Sequence, residues 1–92
     1  MILMMRYLYE TRVVNMSYRV VAGSYSIKDH AQRVKNELEA LGFNPFLVKL
    51  QEDKKLIYQV VIESCAQRVV AETYREKVMK YGYDVFLERV KG

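Results

Sequence analysis

One cysteine, Cys65, stands among the 92 residues, so no disulfide forms within the chain and the fold must hold without that support. The redox compartment stays open, because a secreted domain can also lack disulfides. The single histidine, His30, has no second histidine or arranged cysteine near it, and a metal site needs several converging ligands. No nucleophile, base and oxyanion set can be assembled either, so the chain reads as non-enzymatic, with no cofactor and no metal. Long apolar runs are absent. Met1 to Met5 is interrupted by Arg6, no basic segment precedes it and no small-residue cleavage site follows, which reads as neither signal peptide nor membrane span. Such a chain works in the cytoplasm where it is made, or is a domain of a longer exported protein. Basic charge is not collected in one block: the net charge of +4 comes from Lys and Arg spread among eleven acidic residues. That balance favours anionic surroundings only slightly, and no nucleic-acid partner is expected.

What the sequence does contain is one unit used twice. Residues 18 to 50 lie over residues 58 to 90 without a gap, at an offset of 58 − 18 = 40 positions. In that register Tyr18 meets Tyr58, Val20-Val21 meets Val60-Val61, Ser24 meets Ser64, Ala31 meets Ala71, Gly42 meets Gly82 and Phe46-Leu47 meets Phe86-Leu87. Two copies are too few for a solenoid and point to a closed pseudo-twofold domain. A chain of this size buries only about 60 to 65% of its unfolded surface, so the core is thin and leaves little room for an enclosed catalytic chamber.

Each copy reads as strand, helix, strand. Tyr18 to Gly23 is a β-branched run ended by glycine. Ser26 is placed to cap a helix from about Ile27 to Leu41, with Ala31, Val34, Leu38 and Leu41 at helical spacing and Gly42 as its stop. Phe43 to Leu50 is the second strand, Gln51 to Lys55 a hairpin turn, and Leu56 to Ile62 the third strand. The second helix runs from about Gln67 to Tyr81, with Ala71, Tyr74, Val78 and Tyr81 buried, and Asp84 to Val90 is the fourth strand.

The order β-α-β-β-α-β, with two right-handed crossovers joined by a hairpin, predicts an α+β fold. It is the ferredoxin-like plait, an antiparallel four-stranded sheet in the order 4-1-3-2 with two helices on one face. Alternation places Val20, Ala22, Val60 and Ile62 toward the helices, and Arg19, Val21, Gln59 and Val61 on the other face. That helix-free face of strands one and three is the expected exposed platform.

These residues carry a resemblance. Tyr18-Arg-Val-Val-Ala-Gly-Ser-Tyr-Ser26, then Ala31, Leu38 and Gly42-Phe43, then Tyr58-Gln-Val-Val-Ile62 with a second helix, resemble the SPOR (sporulation-related repeat) domain over about residues 18 to 90. The resemblance implies a bacterial peptidoglycan-binding module without catalysis. Such a module recognises glycan strands stripped of their stem peptides and targets cell-wall or cell-division proteins to septa, in the cell wall or periplasm. It also implies a glycan lying across the open sheet face. Carried over by position, Ser24 matches the family's serine, whereas its strand-one glutamine falls on Val21, its strand-three arginine on Val61 and its second Gly-Pro on Glu63-Ser64. Valine offers no hydrogen bond to a sugar. The candidate glycan-binding residues are therefore Arg19, Val21, Ser24, Gln59 and Val61, with Arg19 and Gln59 flanking the valines as replacement polar contacts.

Each of these also has a structural reading. Ser24 is equally suited to bonding the local backbone at the strand-to-helix turn, Arg19 and Gln59 to being simply solvated, and the valines to being tolerated apolar surface, although their pairing in the middle of a platform favours sitting under something. Tyr58 alternates toward the helices, and Cys65 fills the core as a small hydrophobe. The tyrosines invite comparison with the RNA-recognition motif of the same topology, but strand three lacks its Gly-aromatic-Gly-Phe-Val pattern. Residues 1 to 17 are read as an arm or extra strand preceding the domain at 18 to 92. Tyr7, Tyr9, Thr11 and Val13 lie on one side of that arm, which suits it to lie beside the sheet, across the Val21/Val61 face, or against a second subunit. A homo-oligomer or protein-docking role through the apolar face is the rival to glycan binding.

Overall fold

The computed structural model describes residues 16–91, so the expected arm over residues 1–17 lies outside them except for Met16 and Ser17, which begin the first strand. In chain order the elements are β1 (Met16–Tyr25), α1 (Lys28–Ala40), β2 (Phe46–Glu52), β3 (Lys55–Cys65), α2 (Arg68–Met79) and β4 (Phe86–Lys91). All strand pairs are antiparallel, and the sheet runs β2-β3-β1-β4, the expected order. One face packs on the helices through Val20, Ala22, Val60, Ile62 and Cys65 of the central strands, Ala31 and Leu38 of α1, Ala71 and Val78 of α2, and Val85. Both alanines have no exposed area, so each helix closes on the sheet at a residue whose side chain is a single methyl.

The repeat is a property of the folded chain as well as of its sequence. Every position from 17 to 50 is as buried or exposed as its counterpart forty residues later, apart from Arg19 against Gln59 and Tyr25 against Cys65. Pairing repeats too: Phe86 stands opposite Val21 in the β1/β4 ladder as Phe46 stands opposite Val61 in the β2/β3 ladder. A pseudo-twofold axis therefore passes between Val21 and Val61, which face each other across β1 and β3.

Both helices end on glycine, as the sequence predicts. Gly42 has φ 100° and Gly82 φ 93°, a left-handed conformation in which a side chain is strained. At α1 the amide of Gly42 donates to the Glu39 carbonyl at 3.0 Å and that of Phe43 to the Leu38 carbonyl at 3.1 Å, the paired bonds of a Schellman stop. No atom lies within 4 Å of a Cβ built on either glycine, so alanine there meets strain without a clash. Gly42→Ala and Gly82→Ala should each lower stability by about 1 to 2 kcal/mol, read from urea midpoints. Unchanged midpoints would mean the left-handed stops are dispensable.

Four details differ from the sequence reading. Ser26 does not cap α1: β1 runs on to Tyr25, the N-cap is Ile27 with no side-chain cap bond, and Gln67 holds the equivalent place before α2. The Ile27 carbonyl nonetheless opens the helix by accepting from the His30 and Ala31 amides at 3.1 and 3.4 Å. The hairpin turn narrows from Gln51–Lys55 to Asp53 and Lys54, both at positive φ (46° and 69°), the geometry whose twist matches a two-residue hairpin. Strand β2 starts at Phe46 and β4 at Phe86, because the chain must first clear the glycine stops. For the same reason Leu41 and Tyr81, at the end of each helix, are exposed instead of buried.

Candidate functional site

The five candidate residues come together on the helix-free face, in three cross-strand rows. Directly paired residues of an antiparallel sheet point to the same side with Cβ atoms about 5 Å apart, so register alone builds the rows. The central row is Phe46, Val61, Val21 and Phe86. On one side of it Val48 pairs with Gln59, and Gln59 with Ser24. On the other side Glu88 pairs with Arg19, and Arg19 with Ser64. Register shifts in β1 near Val21 and Gly23 bring Ser24 and Ser64 to equivalent places at opposite ends of the face. The pseudo-twofold axis exchanges Ser24 with Ser64 and Gln59 with Arg19.

Burial corrects the picture of an exposed apolar platform. Val21 and Val61 are 0% exposed although neither belongs to the cluster packed on the helices. Their partners in the row, Phe46 and Phe86, are 42% and 45% exposed. The larger aromatic side chains flank the valines within side-chain reach, so the most exposed apolar side chains of this face are aromatic, with Val48, Leu50, Ile57 and Val90 half-buried beside them. Phe46 and Phe86 were not among the sequence candidates. The signal that marks them is their match in the repeat, combined with the register that puts them in the valine row.

Gln59 is 5% exposed, and its Oε1 is buried without a hydrogen-bond partner. A buried amide oxygen left unpaired costs about 1 to 3 kcal/mol. A ligand or water donor reaching it would offset that cost; Glu88 Oε1 on the same face and Arg75 Nε are likewise buried without a partner. Arg19 is ion-paired through Nη1 with Glu88 Oε1 at 3.6 Å, its side chain about three-quarters buried. That distance is longer than the roughly 2.7 to 2.9 Å of a charge-assisted hydrogen bond. The guanidinium is therefore not locked in a bidentate fork. Ser24 is exposed, whereas Tyr58 turns toward the helices and packs against the core.

Beside Ser64 an open groove of about 330 Å³ lies where β3 passes into α2, lined by Glu63, Cys65, Val70 and Tyr74 among others. Burial, and then the neighbouring Glu63 carboxylate, push the Cys65 thiol above its ordinary pKa, which keeps it protonated and unreactive at neutral pH. Elsewhere the Tyr83 hydroxyl donates to Glu37 at 2.8 Å, tying the approach to β4 onto α1. Burial and that bond raise its pKa. His30 is exposed in the first turn of α1, and the described residues hold no group of three metal-ligating side chains. No helix among them is long and apolar enough to cross a membrane.

No protein-family model and no curated protein matches the chain. Among solved structures, the solution structure of the peptidoglycan binding domain of the B. subtilis cell wall lytic enzyme CwlC superposes with a TM-score of 0.67 at 24% identity. The match covers 82% of this chain and 90% of that one. This chain shares that domain's fold.

Proposed function

We propose that this chain is a SPOR-type, non-catalytic module that binds peptidoglycan. Its ligand on this reading is glycan stripped of stem peptides, laid across the open face, and its task is to bring a cell-wall or division protein to such glycan. The observation that carries the reading is the buried, unpaired Gln59 Oε1 beside the central row of a face that also holds Ser24, Arg19 and two exposed phenylalanines. Sugars present hydroxyl and acetamido N–H donors together with apolar C–H faces. The first suit the amide oxygen, and the second suit the aromatic rings. The shared fold with the CwlC domain supports the same reading, and the net charge of +4 suits an anionic wall.

Protein docking through the apolar face is the weaker reading. Val21 and Val61 are already covered, Phe46 and Phe86 stand on opposite outer strands, and the other apolar residues of the face, Val48, Leu50, Ile57 and Val90, are half-buried; none of them calls for the donor that Gln59 Oε1 lacks. Substitution at Gln59 separates ligand binding from structure. Gln59→Leu removes a buried unsatisfied oxygen, so stability should stay level or rise. Binding to stripped glycan should fall about two- to tenfold, the worth of one neutral hydrogen bond. Unchanged affinity by calorimetry, with measurable wild-type binding, would remove Gln59 from the site.

A further inference from the structure

The open face is twofold in geometry but not in charge. On one side of the aromatic row stand Gln59 and Ser24, both neutral; on the other, Arg19 and Ser64 hold the same places, with Glu88 beyond them. One side thus carries the neutral amide of Gln59 with its oxygen unpaired, and the other a cation, Arg19, whose partner Glu88 Oε1 is itself buried without a hydrogen bond. From this asymmetry we infer that the Arg19–Ser64 half of the face is the specificity element, and that it recognises the carboxylate left on the muramic acid lactyl group when the stem peptide is removed. The inference rests on the glycan reading above and names what distinguishes stripped strands from intact ones.

The chemistry is local. In an intact strand the lactyl carbonyl is a neutral amide leading into the peptide; hydrolysis of that amide leaves a carboxylate and frees the space the peptide filled. Arg19 contacts Glu88 through one terminal nitrogen at 3.6 Å, and a guanidinium carries five N–H donors in a planar fork. Donors therefore remain for an incoming carboxylate, and Ser64, exposed opposite Arg19, adds a hydroxyl. Partial burial of the Arg19 side chain makes a charge-assisted pair stronger than it is in open water. Glu88 opposes the incoming charge and sets how much of the guanidinium is available. Neutralising it should therefore strengthen carboxylate binding.

The test is a ligand series offered to the full chain by calorimetry: stripped glycan strands, the same strands with the lactyl carboxylates converted to neutral methylamides, and an N-acetylglucosamine oligomer that lacks the lactyl group. Wild type should bind the stripped strands at least about tenfold more tightly than either neutral ligand. Arg19→Gln should erase that ratio, and Glu88→Gln should widen it. Added salt should narrow the wild-type ratio and leave the Arg19→Gln values flat. Equal wild-type affinity for stripped and amidated strands overturns the inference while leaving glycan binding intact. A ratio that persists in Arg19→Gln overturns the assignment to this residue. Failure to bind any of the three overturns the glycan reading and the inference with it.

Discussion

Leu38→Ala and Val78→Ala are each expected to lower the unfolding free energy by about 2 to 4 kcal/mol, the range for large-to-small changes in a packed interior. The two positions are equivalent under the forty-residue repeat, one on each helix, and both are 0% exposed in the cluster that joins the helices to β1 and β3. Domains of this size are marginally stable, with roughly 0.05 to 0.15 kcal/mol per residue. Either change therefore removes a large fraction of the total. Leucine loses more atoms than valine, so its cost should be the larger. Should either variant keep the wild-type urea midpoint, that helix does not present the assigned face to the sheet.

The second large effect falls on the open face. Val21→Gln combined with Val61→Arg restores the polar residues that the SPOR family places at these positions, and two possible effects compete. Both valines are fully buried, and replacing them by longer polar groups sacrifices about 1.5 to 3 kcal/mol of apolar burial at each site. That cost is a large fraction of the stability of a domain this size, so binding is compared at a temperature where circular dichroism shows the double variant folded. Against that loss stands a gain in binding. A neutral hydrogen bond contributes about 0.5 to 1.5 kcal/mol net and a charged one about 1.5 to 3. Two new contacts to glycan should therefore tighten binding by about tenfold or more, since roughly 1.4 kcal/mol is one decade. The expected double variant is less stable and a better binder. Loss of stability with no gain in affinity would mean that the valine row only holds the sheet together and does not lie under the ligand.

Much of the architecture was legible because it depends on periodicity. Alternation along Tyr18–Ala22 and Tyr58–Ile62 separated the two faces of the sheet, and the match of Gly42 with Gly82 located both helix ends, each confirmed by its positive φ. The features that were not legible depend on geometry between strands. Ser26 has the chemistry of a cap, but the irregular register of β1 carries the strand to Tyr25 and moves the cap to Ile27, which has no acceptor side chain. Asp53 and Lys54 make a left-handed two-residue turn without the glycine that usually announces one. Alternation placed Val21 and Val61 on the open face correctly. Their burial follows from which residues stand beside them across the ladder, and a single strand does not state that register. The same missing information hid the place of Phe46 and Phe86 in the valine row, and hid the pairing of Arg19 with both Ser64 and Glu88.

Co-sedimentation with purified sacculi tests the central claim most directly. The full chain is incubated with intact sacculi and with sacculi whose stem peptides have been removed by an amidase, and the pellets are compared with the supernatants. The protein is expected to pellet with the stripped sacculi and to pellet less with the intact ones. Protein that stays in the supernatant with both would contradict peptidoglycan binding, and equal pelleting with both would contradict recognition of stripped glycan.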